Sequence, residues 1–248
     1  MKNQIYTFCL SLLLTVNLAS CQSDDAIITE SNTNAEVNDA DPDPDADVEY
    51  LALGDSYTIG QSVCATCRFP VQLTTRFNET SDKKLSVDII AATGWRTDDL
   101  LYAIKNANPS NQYELVTLLI GVNNQYQGIP IDQYKTEFLQ LLDKAKTFAR
   151  GDKSRVIVVS IPDYAFTPFG QNYGNPQLIS QEIDAYNAFA KSTTEDAGIT
   201  YLNITDITRR GLDEPNLVAQ DGLHPSEKAY AEFVERLLPM AQAKLNKD

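Results

Sequence analysis

Arg155-Val156-Ile157-Val158-Val159-Ser160-Ile161 is the stretch that decides the fold. Its consecutive branched aliphatic residues leave no polar face, and a strand of that kind is buried on both sides. Half-exposed antiparallel strands alternate apolar with polar residues, so this run points instead to a parallel sheet covered by helices front and back. Upstream, residues 131–150 carry Tyr134, Phe138, Leu141, Leu142 and Ala145 at helical spacing, which predicts a long amphipathic helix. Downstream, residues 176–197 read as helix, 200–204 as a short strand and 226–247 as a closing helix. Toward the N-terminus the same alternation predicts strands at 49–53, 85–91 and 114–120, with helices at 69–78 and 97–107.

A strand followed by a helix, five times over, implies parallel strands joined by right-handed crossovers. The expected fold is a three-layer α/β/α sandwich with a central five-stranded parallel sheet. Sheets of this type bind ligands at the carboxyl ends of their strands. Four segments fall there: Gly54-Asp55-Ser56 after the first strand, Thr93-Gly94-Trp95 after the second, Gly121-Val122-Asn123-Asn124 after the third, and Asp221-Gly222-Leu223-His224 beyond the fifth. Motifs arising by chance would scatter.

His224 is the single histidine in 248 residues, so any imidazole chemistry runs through it. A serine hydroxyl is a weak nucleophile until a base takes its proton, which couples Ser56 to His224. The imidazole must offer one nitrogen to Ser56 and keep a proton on the other, and Asp221 can accept from that N–H. The short spacing demands a tight loop, for which Gly222 supplies the dihedral freedom. Pro225 suits the start of the closing helix. Plainer uses exist for each residue: a helix cap at Ser56, a turn at Gly94, an Asx-turn at Asn123, a loop acid at Asp221. A Gly-x-Ser-x-Gly elbow is absent and the serine lies near the start of the domain, which disfavours the α/β-hydrolase fold.

In this order, and spanning essentially all of residues 50–248, the four segments resemble the blocks of the SGNH hydrolase superfamily, the GDSL esterases and lipases. The resemblance implies a flavodoxin-like sandwich and a serine hydrolase that cleaves carboxylic esters through an acyl-enzyme on Ser56, with Asp221 and His224 completing the catalytic set. It also implies an oxyanion hole built from the backbone N–H of Ser56, the backbone N–H of Gly94 and the side-chain amide of Asn123, with no metal or organic cofactor. Gly94 would let the backbone approach the substrate with no Cβ in the way. Asn124 stands where this family commonly has aspartate, a departure expected to bear on loop bonding more than on chemistry. No long apolar lid segment is evident, which favours short acyl or O-acetyl groups. Lysophospholipids and acyl thioesters fit the same catalytic set, and a non-catalytic glycan-binding module on the same fold is the competing reading.

Ahead of this domain, Lys2 and the apolar residues 5–18 read as an export signal. Leu18-Ala19-Ser20-Cys21 resembles a bacterial lipobox, which would make Cys21 the lipidated first residue of the mature protein. Residues 22–48 read as an acidic, disordered tether: residues 22–49 hold ten Asp or Glu and no Lys or Arg. The net charge is −14 for the chain but only −5 for residues 50–248. With no basic stripe, a nucleic-acid partner is not expected. The expected partners are a small-molecule or glycan ester and, through the lipid, the bacterial envelope at the outer membrane or its surface. Cys64-Ala65-Thr66-Cys67 in an exported protein reads most simply as a local disulfide, with C-x-x-C redox chemistry as the alternative. A zinc site would need two further ligands.

Overall fold

The computed structural model describes residues 46–246. Strand β1 (Val48–Gly54) leads into α1 (Ser56–Ile59) and α2 (Phe69–Asn78), β2 (Leu85–Ala91) into α3 (Thr97–Ala107), and β3 (Leu115–Leu119) into α4 (Val122–Tyr126) and α5 (Ile131–Phe148). After β4 (Val156–Val159) come α6 (Pro168–Asn172) and α7 (Pro176–Asp196); after β5 (Thr200–Leu202) come α8 (Thr205–Thr208) and α9 (Glu227–Leu245). The strands form one parallel sheet in the order β2-β1-β3-β4-β5. Helices α2 and α9 pack together on one face, and α3, α5 and α7 cover the other. The fold is the three-layer α/β/α sandwich.

Burial follows the strand order. Every residue of β3 and β4 is buried, and β1 has one half-buried position, Glu49. The edge strands β2 and β5 keep several half-buried residues, because one flank of each faces no neighbouring strand. Fully burying a leucine such as Leu51 or Leu118 stabilises the fold by about 1.5–3 kcal/mol. The uninterrupted aliphatic runs are therefore the ones that end up in the middle.

This order reverses direction between β1 and β3, and such a switch point opens a crevice at the carboxyl ends of the two strands. Register aligns the loops that leave it: Gly54 is paired with Ala91 of β2 and with Leu119 of β3. The segments carrying Ser56, Gly94 and Asn123 thus start level with one another.

Several element ends differ from the sequence reading by one or two residues, and at three places the structure shows why. The strand predicted to reach Ile161 ends at Val159, and Ser160 Oγ there accepts from the N–H groups of Ile204 (2.8 Å) and Thr205 (3.2 Å), tying the strand end to α8. The closing helix is capped by Ser226, whose hydroxyl accepts from the Ala229 N–H at 3.3 Å. Pro225 lies before that cap and pairs with Val218 in an isolated antiparallel bridge, so it serves the preceding loop and not the first helical turn. At the other end Val48 already belongs to β1, and Asp47 exchanges hydrogen bonds with Lys84, each at 2.9 Å. The folded body therefore takes in the last residues of the stretch read as tether. The export signal, Cys21 and the rest of the tether lie outside the described residues. Among the described residues no helix is long and apolar enough to cross a membrane.

Candidate active site

At the end of β1, a Cβ on Gly54 would lie 2.1 Å from Thr58 Oγ1 and 2.5 Å from the Leu119 carbonyl oxygen. Glycine is what lets the strand turn into α1 at this point. Asp55 caps that helix, its Oδ1 accepting from the Tyr57 N–H at 3.0 Å. Ser56 is the first helical residue and is 3 % exposed. First-turn N–H groups lack an intrahelical acceptor, and that of Ser56 has no acceptor among the described residues.

Gly94 has φ +82°, in the left-handed region, while a Cβ there would meet nothing within 4 Å. The backbone conformation, and not crowding, is what requires glycine. Amide side chains at α4 hold this turn. Gln127 Nε2 donates to Gly94 O at 3.1 Å and Asn123 Nδ2 to Trp95 O at 2.9 Å. Asn124 pairs with Thr97 in both directions, accepting from its N–H at 3.1 Å and donating to its Oγ1 at 2.7 Å. Gly94 and Asn123 are thereby fixed relative to each other. An amide nitrogen carries two protons, so Asn123 retains one after serving Trp95.

The departure at Asn124 has a physical reason. Thr97 Oγ1 gives its one proton to Glu137 and can only accept from residue 124. An amide meets that need and a carboxylate does not.

In the loop before α9, His224 Nδ1 lies 2.6 Å from Asp221 Oδ2. Asp221 Oδ1 accepts from the N–H groups of Leu223 (2.9 Å) and His224 (3.0 Å), and Ser62 Oγ donates to Oδ2 at 2.6 Å. Burial works to raise the Asp221 carboxyl, but the hydrogen bonds from Ser62 and His224 outweigh it and hold the group down at about 2. Gly222 has φ +72°, as the tight loop requires. The loop is clamped from outside by bonds from Ala219 N–H to His224 O (2.7 Å) and from Phe169 N–H to Gly222 O (2.9 Å). His224 is 8 % exposed, and its ring centre is 5.2 Å from that of Tyr57, the residue after Ser56. Asp221 and His224 are thus in direct contact, and the imidazole is seated against the Ser56 turn. Among the hydrogen bonds of the described residues, none joins Ser56 Oγ to His224 in this conformation.

The sequence reading quoted Asp55 without giving it a role and did not include Ser62. Asp55 is fully buried with Oδ2 unpartnered, and burial pushes its carboxyl up to about 8 while the Tyr57 N–H pulls the other way. Asp163, equally buried, is instead paired with Arg209 Nε (2.9 Å) and Ser180 Oγ (2.6 Å). Ser62 reaches Asp221 across 159 residues of chain, so no local spacing announces it. Cys64 and Cys67 are joined as a disulfide. Among the described residues no group of three or more His, Cys, Asp or Glu side chains could hold a metal ion.

A parallel sandwich with a serine turn, an amide turn and an Asp–His pair gathered at its carboxyl edge has the layout of an ester hydrolase. Residues 52–232 match the model of the GDSL-like Lipase/Acylhydrolase family. The chain belongs to that family of lipases and acylhydrolases. Among solved structures it is similar to a lipolytic protein of the G-D-S-L family from Veillonella parvula DSM 2008, with 16% identity, TM-score 0.59 and coverage of 77% of this chain and 96% of that one. It is similar also to the psychrotrophic esterase EstA from Pseudoalteromonas sp., with 18% identity, TM-score 0.58 and coverage of 81% and 100%. An acetylxylan esterase from Geobacillus stearothermophilus gives 17% identity, TM-score 0.58 and coverage of 82% and 96%. At these identities the likeness is one of fold. The secreted effector protein SseJ of Salmonella typhimurium (strain LT2) is 28% identical over 93 residues, 38% of this chain and 22% of SseJ. The match therefore spans about a fifth of that curated relative.

Proposed function

We propose that this hydrolase removes O-acetyl and other short acyl groups through an acyl-enzyme on Ser56, with His224 as general base and acid and Asp221 as its orienting partner. The observation that carries this reading is the 2.6 Å contact of His224 Nδ1 with Asp221 Oδ2. With the Nδ1 proton committed to a carboxylate, Nε2 is left as the acceptor, which is the tautomer a base needs. Nε2 takes the Ser56 proton as Oγ attacks the carbonyl carbon, and Asp221 stabilises the imidazolium that results. His224 then hands the proton to the leaving alcohol, and a water molecule repeats the sequence on the acyl-enzyme. The oxyanion formed at each stage is met by the N–H groups of Ser56 and Gly94 and the free proton of the Asn123 amide. One such donor stabilises the transition state by about 2.7–4 kcal/mol.

An aromatic cluster supports a glycan as the alcohol part of the ester. Tyr126 follows Asn123 by one helical turn, and its ring centre lies 4.9 Å from Tyr173 and 6.2 Å from Phe169. Phe169 is bonded to the Asp221–His224 loop through Gly222. Tyr126 and Tyr173 are 38 % and 42 % exposed, so part of each ring is open to a sugar ring with one apolar side. We further propose that the enzyme is exported and held at the outer membrane by lipid on Cys21, a reading supported by Leu18-Ala19-Ser20-Cys21 and the acidic stretch after it.

Purified protein assayed on acetyl, butyryl and long-chain p-nitrophenyl esters beside acetylated oligosaccharides tests the catalytic reading. Acetyl esters should turn over fastest, Ser56→Ala should be inactive, and a fluorophosphonate probe should label only the wild type. Equal turnover by wild type and Ser56→Ala refutes the mechanism, and a glycan-binding module would show neither turnover nor labelling. Cys21→Ala should abolish incorporation of labelled palmitate and release the protein from the membrane fraction.

A further inference from the structure

We propose that Ser62 is a positioning residue for Asp221 and that the Cys64–Cys67 disulfide holds the loop that presents it. The inference rests on the catalytic reading of Asp221 given above. Ser62 Oγ donates to Asp221 Oδ2 at 2.6 Å, the same oxygen that meets His224 Nδ1 at 2.6 Å. The other oxygen accepts from the N–H groups of Leu223 and His224. Three of the four bonds come from residues of Asp221's own loop and would move with it. Ser62 supplies the fourth, from the segment that follows α1.

The loop that carries Ser62 begins at the proposed nucleophile. Gly60 ends α1 with φ +76°, its N–H bonded to Ser56 O at 3.1 Å, and the Val63 N–H returns to Gly60 O at 3.2 Å. Beyond Val63 the disulfide closes a turn in which the Cys67 N–H donates to Cys64 O at 2.9 Å. Gln72 Nε2, from α2, ties that turn down by donating to Cys67 O at 2.5 Å. Ser62 is therefore held between the Ser56 helix on one side and a crosslinked turn on the other. Through its hydroxyl, one short segment sets the serine turn against the acid–base loop.

Ser62 adopts φ +67°, a conformation disfavoured for any residue with a Cβ and comfortable for glycine. What serine brings to this position is its hydroxyl. The contact adds little to global stability, because Ser62 is exposed and the Asp221 side chain is 30% exposed. Without it, by contrast, the Asp221–His224 pair loses its tie to the segment that carries Ser56, and the alignment on which proton transfer depends degrades.

This asymmetry makes Ser62→Gly the informative variant, since it relieves the backbone while deleting the hydroxyl. On p-nitrophenyl acetate its kcat should fall about tenfold, or about 1.4 kcal/mol of barrier, with KM unchanged and Tm equal to or above wild type. Ser62→Ala should lose kcat to the same extent. Cys64→Ser/Cys67→Ser should lose a smaller part of kcat, and joining it to Ser62→Gly should add no further loss, because both act through one hydrogen bond. Wild-type kcat in Ser62→Gly overturns the proposal, as does a kcat loss matched by a fall in Tm. Additive losses in the triple variant overturn the role given to the disulfide. Ser56→Ala in the same assay keeps the two readings apart. If it turns over substrate the catalytic reading fails, whereas an inactive Ser56→Ala beside a fully active Ser62→Gly sinks the positioning role alone.

Discussion

Replacing Asn124 by aspartate installs the residue common at this block in the family, yet the surroundings make it damaging. Asn124 is fully buried and pairs twice with Thr97, accepting from its N–H and donating to its Oγ1. The Thr97 proton already goes to Glu137. A carboxylate oxygen in place of Nδ2 would face a lone pair. A buried acceptor left so costs about 1–3 kcal/mol. If Thr97 turns its proton inward, Glu137 is orphaned in its place. Two carboxylates roughly 5 Å apart also repel by about 3 kcal/mol at an effective dielectric near 20. Glu137 is only half-buried, so relaxation into solvent reduces that repulsion. A net loss of about 3 kcal/mol corresponds to a Tm lowered by about 6–12 °C in a domain of this size.

The loss should depend on pH. Burial and Glu137 both raise the introduced carboxyl above the unfolded aspartate value of about 3.9. Stability is then retained below that value, where the protonated side chain can donate as the amide did, and is lost as pH rises. Adding Glu137→Gln gives Thr97 Oγ1 an amide donor and frees its proton for the new carboxylate. Melting curves of the wild type, both single variants and the double variant at pH 5 and pH 8 check the argument. The Asn124→Asp deficit should be larger at pH 8, and Glu137→Gln should recover most of it. A Tm within about 2 °C of wild type at pH 8, or no recovery in the double variant, refutes the reasoning.

Asn123→Ala should lower kcat by about 10²–10³-fold with little change in KM, measured on p-nitrophenyl acetate; an equal rise in KM would assign the amide to ground-state binding. Asp221→Asn should lower kcat by about 10⁴-fold by favouring the wrong imidazole tautomer, measured on p-nitrophenyl acetate. Burial raises Asp55 to about 8, so its contribution to stability is complete below about pH 4 and lost as pH climbs through 8. Asp55→Asn keeps an acceptor for the Tyr57 N–H and should flatten that decline in urea unfolding between pH 4 and 8. Parallel stability curves for the two proteins would show that Asp55 ionises normally.

Periodicity alone carried the fold class, because burial on both faces of a strand and on one face of a helix is written at short range. The aliphatic run at Val156–Val159 became a central strand, and Tyr134, Phe138, Leu141, Leu142 and Ala145 became the buried face of α5. Ends were less legible, since they depend on partners elsewhere: Ser160 stops β4 through residues of α8, and Pro225 is drawn into a bridge with Val218. Of the site, the pairing of Asp221 with His224 could be read from a spacing of three residues and a glycine, because a single tight loop contains it. Folding had to decide the strand order β2-β1-β3-β4-β5, which opens the crevice between β1 and β3 and brings the Ser56, Gly94 and Asn123 turns level. It also had to decide the contacts of Ser62 with Asp221 and of Asn124 with Thr97 and Glu137. Hydrogen bonds between residues far apart in the chain have no period and no local spacing; they exist only once the core has fixed the distances between loops.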